Sequence, residues 1–587
     1  MSRTLWLVLG VSVFFGLSTS SCSCSSSGNP PLGDLGGDDA GVGDDAGVGD
    51  DMGGGGNAAD GGQSCTGGQN CPGGQQCVNG TTCACPPYQA LCNGQCIPVT
   101  NDANNCGGCG VKCTGATACS GGKCETGCLP GLTICSNACV DLANDSDHCG
   151  NCNTKCPMGQ GCADRQCVKA APLGTPPGGC TNGGPPIIVN TPGSGSGSVC
   201  AGNLAQTTFA WALCSCNDVR LSSTFVTDAF DSTKGPYMPG GLGGGVGLNG
   251  SLNASSEITV GGTLWNSAAA GLSTSSPGSV LQELHVGGPL SALMSVSDDG
   301  YVKGNIDGKP VTIGKKLYHP GGMTGINGQV TYNMLVNQPV SVPPPCAACP
   351  GQPAGVIPVT QIVAARQTMN DNAAIGLDPG LLAGGNVPGR VDLPCGNYYV
   401  TSIATSNPLT IYAHGHVALY VGGNISSSSA LALTLAPDAT FDIFVAGTIS
   451  SSSRLVIGSP NYPALTRTYV GGSTTLSFSS EVSLSGNLYD AAALVDWSSV
   501  VEAYGSVYAG DFHASSEVKI HYDTQVTNAG QGCPTVPTND LGTVGCGSCT
   551  DCNNQACVNG ACGMCTDSSQ CCPPLVCLNG TCGLLIQ

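Results

Sequence analysis

Histidines and acidic residues that could do chemistry are sparse in this 587-residue chain. His414 and His416 stand two residues apart, so on a strand they share one face and could bind one metal ion. Asp442 or His521 would have to complete such a site, and no spacing fixes either of them. We therefore predict exposed strand histidines, with no metal ion and no other cofactor.

Catalysis would need acids and bases that converge. The candidates for a polysaccharide lyase or hydrolase are Asp438, Asp442, Arg454, Asp496, Asp511 and Glu517. A glycosidase needs two carboxyl groups about 5–10 Å apart, whereas the thin scatter of these charges is equally typical of a solvated face. Nucleophile-elbow, P-loop, dinucleotide and zinc-protease motifs are missing from the sequence. We predict no enzymatic activity and no catalytic residues.

Aromatic residues in the middle of the chain could stack on sugar rings or pack in ladders beside the core. They are Tyr412, Tyr420, Tyr469, Tyr489, Trp497, Tyr504 and Tyr508. We expect them to pack in ladders, and glycan binding is the alternative.

The composition restricts the classes of protein to consider. Charged residues make up 9% of the chain, against roughly 25% in a typical soluble domain. The formal net charge of −20 argues against nucleic acid as a partner. The 40 cysteines are typical of disulfide frameworks outside a reducing cytosol. The composition therefore indicates an exported, disulfide-rich, acidic protein.

The start of the chain predicts export. An apolar run from Leu5 to Leu17 is right for a signal peptide (1–21) and too short to span a bilayer. Small residues precede Cys22, which suggests a bacterial lipoprotein acylated there; Cys24 or plain secretion are the alternatives. The Asp- and Gly-rich stretch 22–64 cannot bury apolar area and predicts an extended tether. The membrane would be contacted only through the lipid.

Eight cysteines recur with a constant offset of 43 residues. The first set is Cys85, Cys92, Cys96, Cys106, Cys109, Cys113, Cys119 and Cys124, and the second is Cys128, Cys135, Cys139, Cys149, Cys152, Cys156, Cys162 and Cys167. This defines two tandem modules, 85–127 and 128–169. Eight cysteines allow 105 pairings, and the sequence alone does not choose among them.

Smaller cysteine elements flank these modules. An Asn-Gly pair between two cysteines occurs at Asn79, Asn559 and Asn579 and predicts tight hairpins. A C-terminal module (546–587) contains Cys546, Cys549, Cys552, Cys557, Cys562, Cys565, Cys571, Cys572, Cys577 and Cys582. Cys-x-x-Cys pairs such as Cys346 and Cys349 lack zinc-ribbon spacing or a thioredoxin-like context, so we predict structural disulfides.

The stretches Asn105-Cys-Gly-Gly-Cys-Gly-Val-Lys-Cys113 and His148-Cys-Gly-Asn-Cys-Asn-Thr-Lys-Cys156 resemble the stigma-specific protein family. The resemblance covers 85–167. It implies an extracellular recognition module and brings no catalytic residue.

Short apolar alternations dominate residues 200–528. Two serines, any residue and two spaced apolar residues recur, for example from Ser428 to Leu433 and from Ser452 to Ile457. Repetition at about 17–27 residues with Gly-rich corners predicts the coils of a parallel β-solenoid; a jelly-roll-like β-sandwich is the alternative. Helical spacing of Val359, Ile362 and Val363 suggests a short helix between two solenoid halves, with a loop as the alternative.

Three segments resemble a domain of unknown function from Cys-rich secreted and pilus-associated proteins of Gram-negative bacteria. They begin at Ala201, Leu393 and Val518, and the resemblance covers about 200–528. That family implies location and architecture only. The coils are also similar to polymer-forming bacterial β-solenoids, which are generally cytoplasmic, so the signal peptide argues against that role.

The sequence thus predicts a mostly β protein of several parts. They are a signal peptide (1–21), a tether (22–64), a Cys-rich hairpin (65–84), two Cys modules (85–127, 128–169), a linker (170–199), a first solenoid half (200–345), a connection (346–390), a second half (391–528), a linker (529–545) and a C-terminal Cys module (546–587). We expect a cell-surface structural or adhesive protein of a Gram-negative bacterium, tethered to the outer membrane or secreted. Its partner would be a glycan or another surface protein. A polysaccharide-binding or polysaccharide-degrading solenoid is the alternative.

Overall fold

The computed structural model describes most of the chain between residues 76 and 533 and four short strands beyond it. The gaps are 79–81, 86–88, 100–101, 116, 121, 129–130, 175–179, 181–183, 191–197, 236, 322–324, 385–386, 438, 479–481 and 531–532. The predicted signal peptide, Cys22, the tether and Asp438 lie outside the described residues. Within the part that is described, no helix is both long and apolar enough to cross a lipid bilayer.

As predicted, the body of the protein is a parallel β-solenoid. The structure shows that its coils have three faces. Its coils fall into an early half (213–337) and a late half (390–523). Pairing between coils is parallel at every register, which excludes the jelly-roll alternative, since that fold pairs its strands antiparallel. The third face is a single sheet of 13 strands that runs through both halves.

The strand bounds are as follows. The first face contains Leu213–Ser215, Val246–Leu248, Leu264–Asn266, Leu284–Val286, Gly300–Val302, Lys316–His319, Met334–Asn337, Gly396–Val400, His416–Val421, Thr440–Val445 and Thr466–Val470. The second face contains Val219–Leu221, Leu252–Ala254, Leu272–Thr274, Leu290–Ser291, Ile306–Asp307, Ile326–Asn327, Ile403–Thr405, Ile425–Ser427, Ile449–Ser451 and Leu476–Phe478. The long strands Asn487–Trp497 and Val507–Ala514 run through both faces. The third face contains Phe225–Phe230, Ile258–Val260, Gly278–Val280, Met294–Val296, Val311–Ile313, Val330–Thr331, Arg390–Leu393, Leu409–Ala413, Leu431–Leu435, Leu455–Gly458, Val482–Ser485, Val501–Tyr504 and Val518–Asp523.

Alternation along each strand builds the core. Leu252 and Ala254 point inward and are buried, while Asn253 between them is exposed. Stacking repeats each inward position, so that Leu213, Val246 and Leu264 form one continuous buried ladder. Each fully buried aliphatic side chain contributes about 1.5–3 kcal/mol.

The recurrent serine pairs form the corners between the second and third faces. Their hydroxyl groups hydrogen-bond the neighbouring coil or the corner itself: Ser276 Oγ donates to the Ser255 carbonyl oxygen (2.8 Å), and Ser516 Oγ donates to that of Ser498 (2.8 Å). Serine therefore recurs at these corners because it satisfies backbone groups that a sharp bend leaves without ladder partners.

The coils do not stack in chain order. The first coil (213–230) lies between the second coil and the last coil (507–523), since Leu213 pairs with both Val246 and Val507. The chain enters in the middle of the rod, builds the early half outward, and returns through 338–389, the return segment. It then builds the late half from the other end back to the middle. We call the contact between the first and last coils the seam.

Helices and a disulfide close the seam. Helix α1 (Ala201–Thr208) precedes the first coil and packs on the 3-10 helix Thr524–Asn528 that follows the last one. A Cβ atom at Gly202 would overlap the carbonyl oxygen of Ala529, so glycine is needed for this close approach. The Cys200–Cys533 disulfide joins the two segments across 333 residues of sequence.

The return segment covers the first face of the late half. It contains α2 (Val359–Arg366) and α3 (Asn372–Ile375). Cys346 and Cys349 bond to Cys214 and Cys216 rather than to each other, so this Cys-x-x-Cys pair anchors the return segment to the first coil. Among the described residues, the remaining 3-10 helices are Ser232–Lys234 and Pro463–Leu465.

The two Cys modules share one disulfide pattern. Module 1 pairs Cys85–Cys96, Cys92–Cys109, Cys106–Cys119 and Cys113–Cys124, and module 2 repeats these pairs 43 residues later as Cys128–Cys139, Cys135–Cys152, Cys149–Cys162 and Cys156–Cys167. Their strands are Gln89–Cys92, Gln95–Pro98, Ala118–Ser120, Lys123–Glu125, Thr133–Cys135, Ala138–Val140, Gln160–Ala163 and Gln166–Lys169. The structure thus selects one of the 105 pairings.

The Asn-Gly elements form antiparallel strand pairs. They are Gln76–Val78 with Thr82–Ala84, Ala556–Val558 with Ala561–Gly563, and Val576–Leu578 with Thr581–Gly583. Cysteines occupy partner positions in the register of each pair, for example Cys77 and Cys83. Another antiparallel pair, Ile188–Asn190 with Ser198–Cys200, precedes α1. The antiparallel pairing expected of the predicted hairpins is confirmed. Their Asn-Gly residues and the other cysteines of 546–587 lie outside the described residues.

Arg390 docks module 2 on the end of the late half. Its guanidinium donates to the carbonyl oxygens of Asn144 (2.7 Å) and Cys162, and it pairs with Asp392 (2.8 Å). The Gly389 amide donates to the carbonyl oxygen of Lys169 (3.0 Å). Nearby, the Cys180–Cys395 disulfide joins the linker to the late half. The module is therefore held against the solenoid by a buried side chain, backbone hydrogen bonds and a covalent bond.

Candidate functional site at the seam

A histidine lies between two carboxylates at the seam, on the third face. Asp228 belongs to the first coil, and His521 belongs to the last coil beside it. His521 Nδ1 lies 2.6 Å from Asp228 Oδ1, and His521 Nε2 lies 3.1 Å from Glu502 Oε1. Asp228 and His521 are buried, whereas the Glu502 side chain is 53% exposed. The site thus has one carboxylate facing solvent and one inside.

Two tyrosines complete this seam cluster. Tyr237 donates to Asp228 Oδ2 (2.6 Å), and its ring lies over His521 with centroids 3.9 Å apart. Tyr504 donates to Glu502 Oε1 (3.2 Å). The loop that follows Phe225–Phe230 carries Tyr237, so three separate chain segments meet in the cluster.

Hydrogen bonds dominate the electrostatics of the seam cluster. Burial acts to raise the pKa of Asp228, but hydrogen bonds from His521, Tyr237 and the Gly240 amide outweigh it, and the pKa falls below its usual value. Burial, together with the charge of Glu502, raises the pKa of Tyr504 to about 12. Each ring nitrogen of His521 faces a carboxylate, one on either side. The arrangement joins three adjacent coils and presents Glu502 and Tyr504 at the surface.

Replacing His521 with Gln is expected to lower the free energy of unfolding by about 3 kcal/mol, because Asp228 would keep a buried carboxylate oxygen without its donor. Denaturant unfolding at neutral pH measures this loss. His414→Gln is the matched control, since His414 pairs with Asp392 (3.0 Å) but is 48% exposed, and it should change stability by less than about 1 kcal/mol. Equal losses in both variants would contradict a structural role for the seam cluster.

The predicted histidine pair does not converge with its proposed partners. His414 contacts Asp392, whereas His416 Nδ1 lies 2.9 Å from Thr440 Oγ1. Burial, with the charge of Arg467 nearby, lowers the pKa of His416 to about 4. His521 is in the seam cluster, and Asp442 pairs with Arg467. The four residues therefore serve separate contacts.

The predicted acids also have separate partners. Asp442 lies fully buried and faces the Arg467 guanidinium at 2.7 and 2.8 Å. Burial raises the pKa of Asp442, and the charge of Arg467 opposes that rise. Asp511 accepts from the Asp218 amide (3.2 Å), and Glu517 pairs with Lys519 (3.0 Å).

Two further predicted residues lie at different places on the solenoid surface. Arg454 pairs with Asp164 of module 2 (3.2 Å), between partly exposed side chains. Asp496 stands on the second face opposite His513. The structure thus brings Arg454 to the module boundary and Asp496 to the second face.

Among the described residues, two groups of three cysteines bring their sulfur atoms close enough together to bind a metal ion. They are Cys106, Cys113 and Cys124, and the equivalent Cys149, Cys156 and Cys167. Every one of these cysteines is in a disulfide, so its sulfur is not available as a thiolate ligand.

The predicted aromatic residues pack mainly in a ladder under the return segment. Tyr420, Phe444 and Tyr469 stack with centroids 5.1 and 4.8 Å apart, and Tyr489 and Tyr508 continue the ladder. The Ile357 amide donates to Tyr489 Oη (3.0 Å). Trp497 is buried against Phe512, while Tyr412 and Tyr504 keep partial exposure. Because ladder packing buries most of these rings, their faces are not available for stacking on a sugar ring.

The early half carries a second aromatic stack that sequence reasoning missed. Trp265, His285, Tyr301 and Tyr318 stack in successive coils, with centroids 3.9, 4.4 and 4.4 Å apart and interplanar angles of 19° or less. Their signal was an aromatic side chain at the outward position of successive first-face strands, at intervals of 20, 16 and 17 residues. Because the rings stack on one another, they present mainly edges to solvent.

Comparison with known proteins supports part of the resemblance noted above. Residues 353–529 match the model of a domain of unknown function, DUF7305. This match contains α2, α3 and the whole late half of the solenoid, and it stops short of the early half. No curated protein and no solved structure matches the chain. The stigma-specific resemblance and the link to pilus-associated proteins stay predictions.

Proposed function

We propose that this protein is an exported, non-catalytic structural or adhesive protein of a Gram-negative cell surface, lipid-tethered through Cys22 or secreted. Twelve disulfides among the described residues indicate an oxidising environment. Eight of them brace the two modules internally, and the other four fix the linker, the return segment and the seam to the solenoid. Such cross-linking suits a protein that must keep its shape outside the cell.

The polar second face is the observation that carries the adhesive proposal. Its outward row contains Ser426, Ser450 and Ser477 in the late half and Asn253 and Ser273 in the early half, all exposed. Stacked coils repeat these short polar side chains about every 4.8 Å. A flat face of this kind offers hydroxyl and amide groups in a regular array to a repetitive polymer. A glycan or a surface protein is the partner we propose.

Incubating the oxidised full-length chain with a panel of polysaccharides, with and without calcium, tests the proposal. Bound fraction and polymer length are measured in the same samples. We expect binding with unchanged polymer length, and we expect S426E/S450E/S477E to weaken binding to an acidic polymer at least tenfold by charge repulsion. The matched control T259E/S295E/T312E adds the same charge to the third face and should bind normally.

Each outcome discriminates between functions. Shortened polymer chains would contradict a non-catalytic protein and favour the polysaccharide-degrading alternative. Equal loss in both triple variants would show that net charge, not the second face, controls binding. Absence of binding to every polysaccharide would overturn the glycan proposal and leave a protein partner.

A further inference from the structure

Among the residues that the structure describes, none covers the solenoid core at the end of the early half. Three inward ladders end there in Ile326, Val330 and Leu335, which are only partly buried, whereas Ile306, Val311 and Leu317 directly beneath them are buried. Each strand of this outermost coil pairs on one side only, with the coil below; the strands are Ile326–Asn327, Val330–Thr331 and Met334–Asn337. No described residue pairs with their outer edges. The outermost coil of the early half (326–337) therefore exposes three strand edges around an apolar centre.

The opposite end of the rod is closed. The Asn372 side chain makes two hydrogen bonds to the backbone of Tyr399. Its Nδ2 donates to the Tyr399 carbonyl oxygen (2.7 Å), and its Oδ1 accepts from the Tyr399 amide (2.9 Å). The Thr401 amide donates to the Pro379 carbonyl oxygen, and the Ala404 amide donates to that of Leu382. Consequently the outermost core residues there, Val391 and Ile403, are buried. The described residues thus cap one end with backbone and side chains and leave the other open.

The open end lacks the usual protection of an exposed strand edge. Natural proteins discourage edge pairing with charged side chains, proline or bulges. No Asp, Glu, Lys or Arg occurs between residues 317 and 365, although the chain as a whole has a net charge of −20. Met334 at this edge is 54% exposed. The outermost coil of the early half (326–337) therefore has no charged side chain of its own, and the nearest charges, Asp307 and Lys316, lie one coil below.

We propose that the open end binds the same end of a second copy of this chain, which forms a head-to-head dimer. A two-fold axis would bring like residues together, so an interface in this acidic protein must avoid charged side chains, and the open end does. Ile326, Val330 and Leu335 would meet their counterparts and complete the core. The strand edges would pair antiparallel, as two-fold symmetry requires. Because the other end is closed, assembly stops at the dimer instead of forming a filament.

Sedimentation equilibrium and light scattering of the oxidised full-length chain test this inference. We expect a monomer–dimer equilibrium at concentrations up to about 100 μM, since three short edges form a small interface. N327K/T331K/M334K places three positive charges at the edge and is expected to weaken dimerisation at least about 100-fold, because like charges face each other across the axis. N253K/S273K/S295K, with the same charge on the sides of the rod, should dimerise normally.

A complementary pair makes the test specific. N327E/T331E/M334E is expected to be monomeric alone and to form a heterodimer when mixed with the Lys variant, because opposite charges then meet at the interface. Thermal unfolding of each variant verifies that it is folded. A monomeric wild type throughout the concentration range would overturn the inference, and so would a dimer that the edge charges do not weaken. A mixture that stays monomeric would overturn the head-to-head arrangement.

Discussion

Removing the seam disulfide with Cys200→Ser and Cys533→Ser is expected to lower the free energy of unfolding of the solenoid by about 4 kcal/mol. This disulfide joins residues 333 apart in sequence, so its loss gives the unfolded chain a large gain in conformational entropy. It also holds α1 on Thr524–Asn528, beside the contact between the first and last coils. We therefore expect unfolding of the variant to begin at the seam.

Denaturant unfolding measures the loss, and hydrogen exchange locates it. Amides of Leu213–Ser215 and Val507–Ala514 should exchange faster in the variant, while those of Leu431–Leu435 in the late half should change little. Cys85→Ser with Cys96→Ser is the control, since that disulfide spans 11 residues within module 1 and should leave the solenoid transition unchanged. Uniformly faster exchange along the rod would contradict a local role for Cys200–Cys533.

Asp490→Asn is expected to stabilise the protein by about 4 kcal/mol at pH 8 and to change stability little near pH 4. Asp490 is fully buried on the strand Asn487–Trp497. Burial raises its pKa to about 7, and the amides of Ala492 and Ala493 oppose the rise. Between its ordinary value of 3.8 and pH 7 the folded protein binds a proton that the unfolded chain has lost. Stability therefore falls as the pH rises through this window and is constant above it.

Denaturant unfolding from pH 4 to pH 8 measures this dependence in both proteins. The wild type should lose stability toward pH 7 relative to the variant, and the difference between them should then stay level. Asp496→Asn, six residues further along the same strand and half-buried, is the matched control and should follow the wild type. A constant difference between wild type and D490N at all pH values would show that burial does not move the titration of Asp490.

Local features of the fold were predictable because they depend on neighbouring residues. Alternation at segments such as Ile258–Val260 indicated strands, and the serine pairs indicated corners that recur with the coils. The 43-residue offset predicted two equivalent modules, and their disulfides are equivalent. Even the ladder packing of Tyr420 and Tyr469 was expected, since repeated coils place side chains from equivalent positions above one another.

The seam cluster could not be predicted in this way. Asp228 and His521 are separated by 293 residues, and neither Asp228, Tyr237 nor Glu502 belongs to a recognisable motif. They meet only because the first coil stacks on the last. Asp490 was missed for a similar reason: one acidic residue in an apolar alternation does not indicate how completely the surrounding coils bury it.

The sequence by itself determined the repeating unit of this protein: inward aliphatic residues, outward polar residues, serine corners and two equivalent cysteine modules. These properties follow from spacing along the chain. Tertiary structure alone decided the order of the coils, the pairing of cysteines as distant as Cys200 and Cys533, and which end of the rod is closed. The physical reason is that similar coils can stack on one another in many orders with similar local energy. The return segment, the module docked by Arg390, the seam contacts and the long-range disulfides distinguish one order from the others.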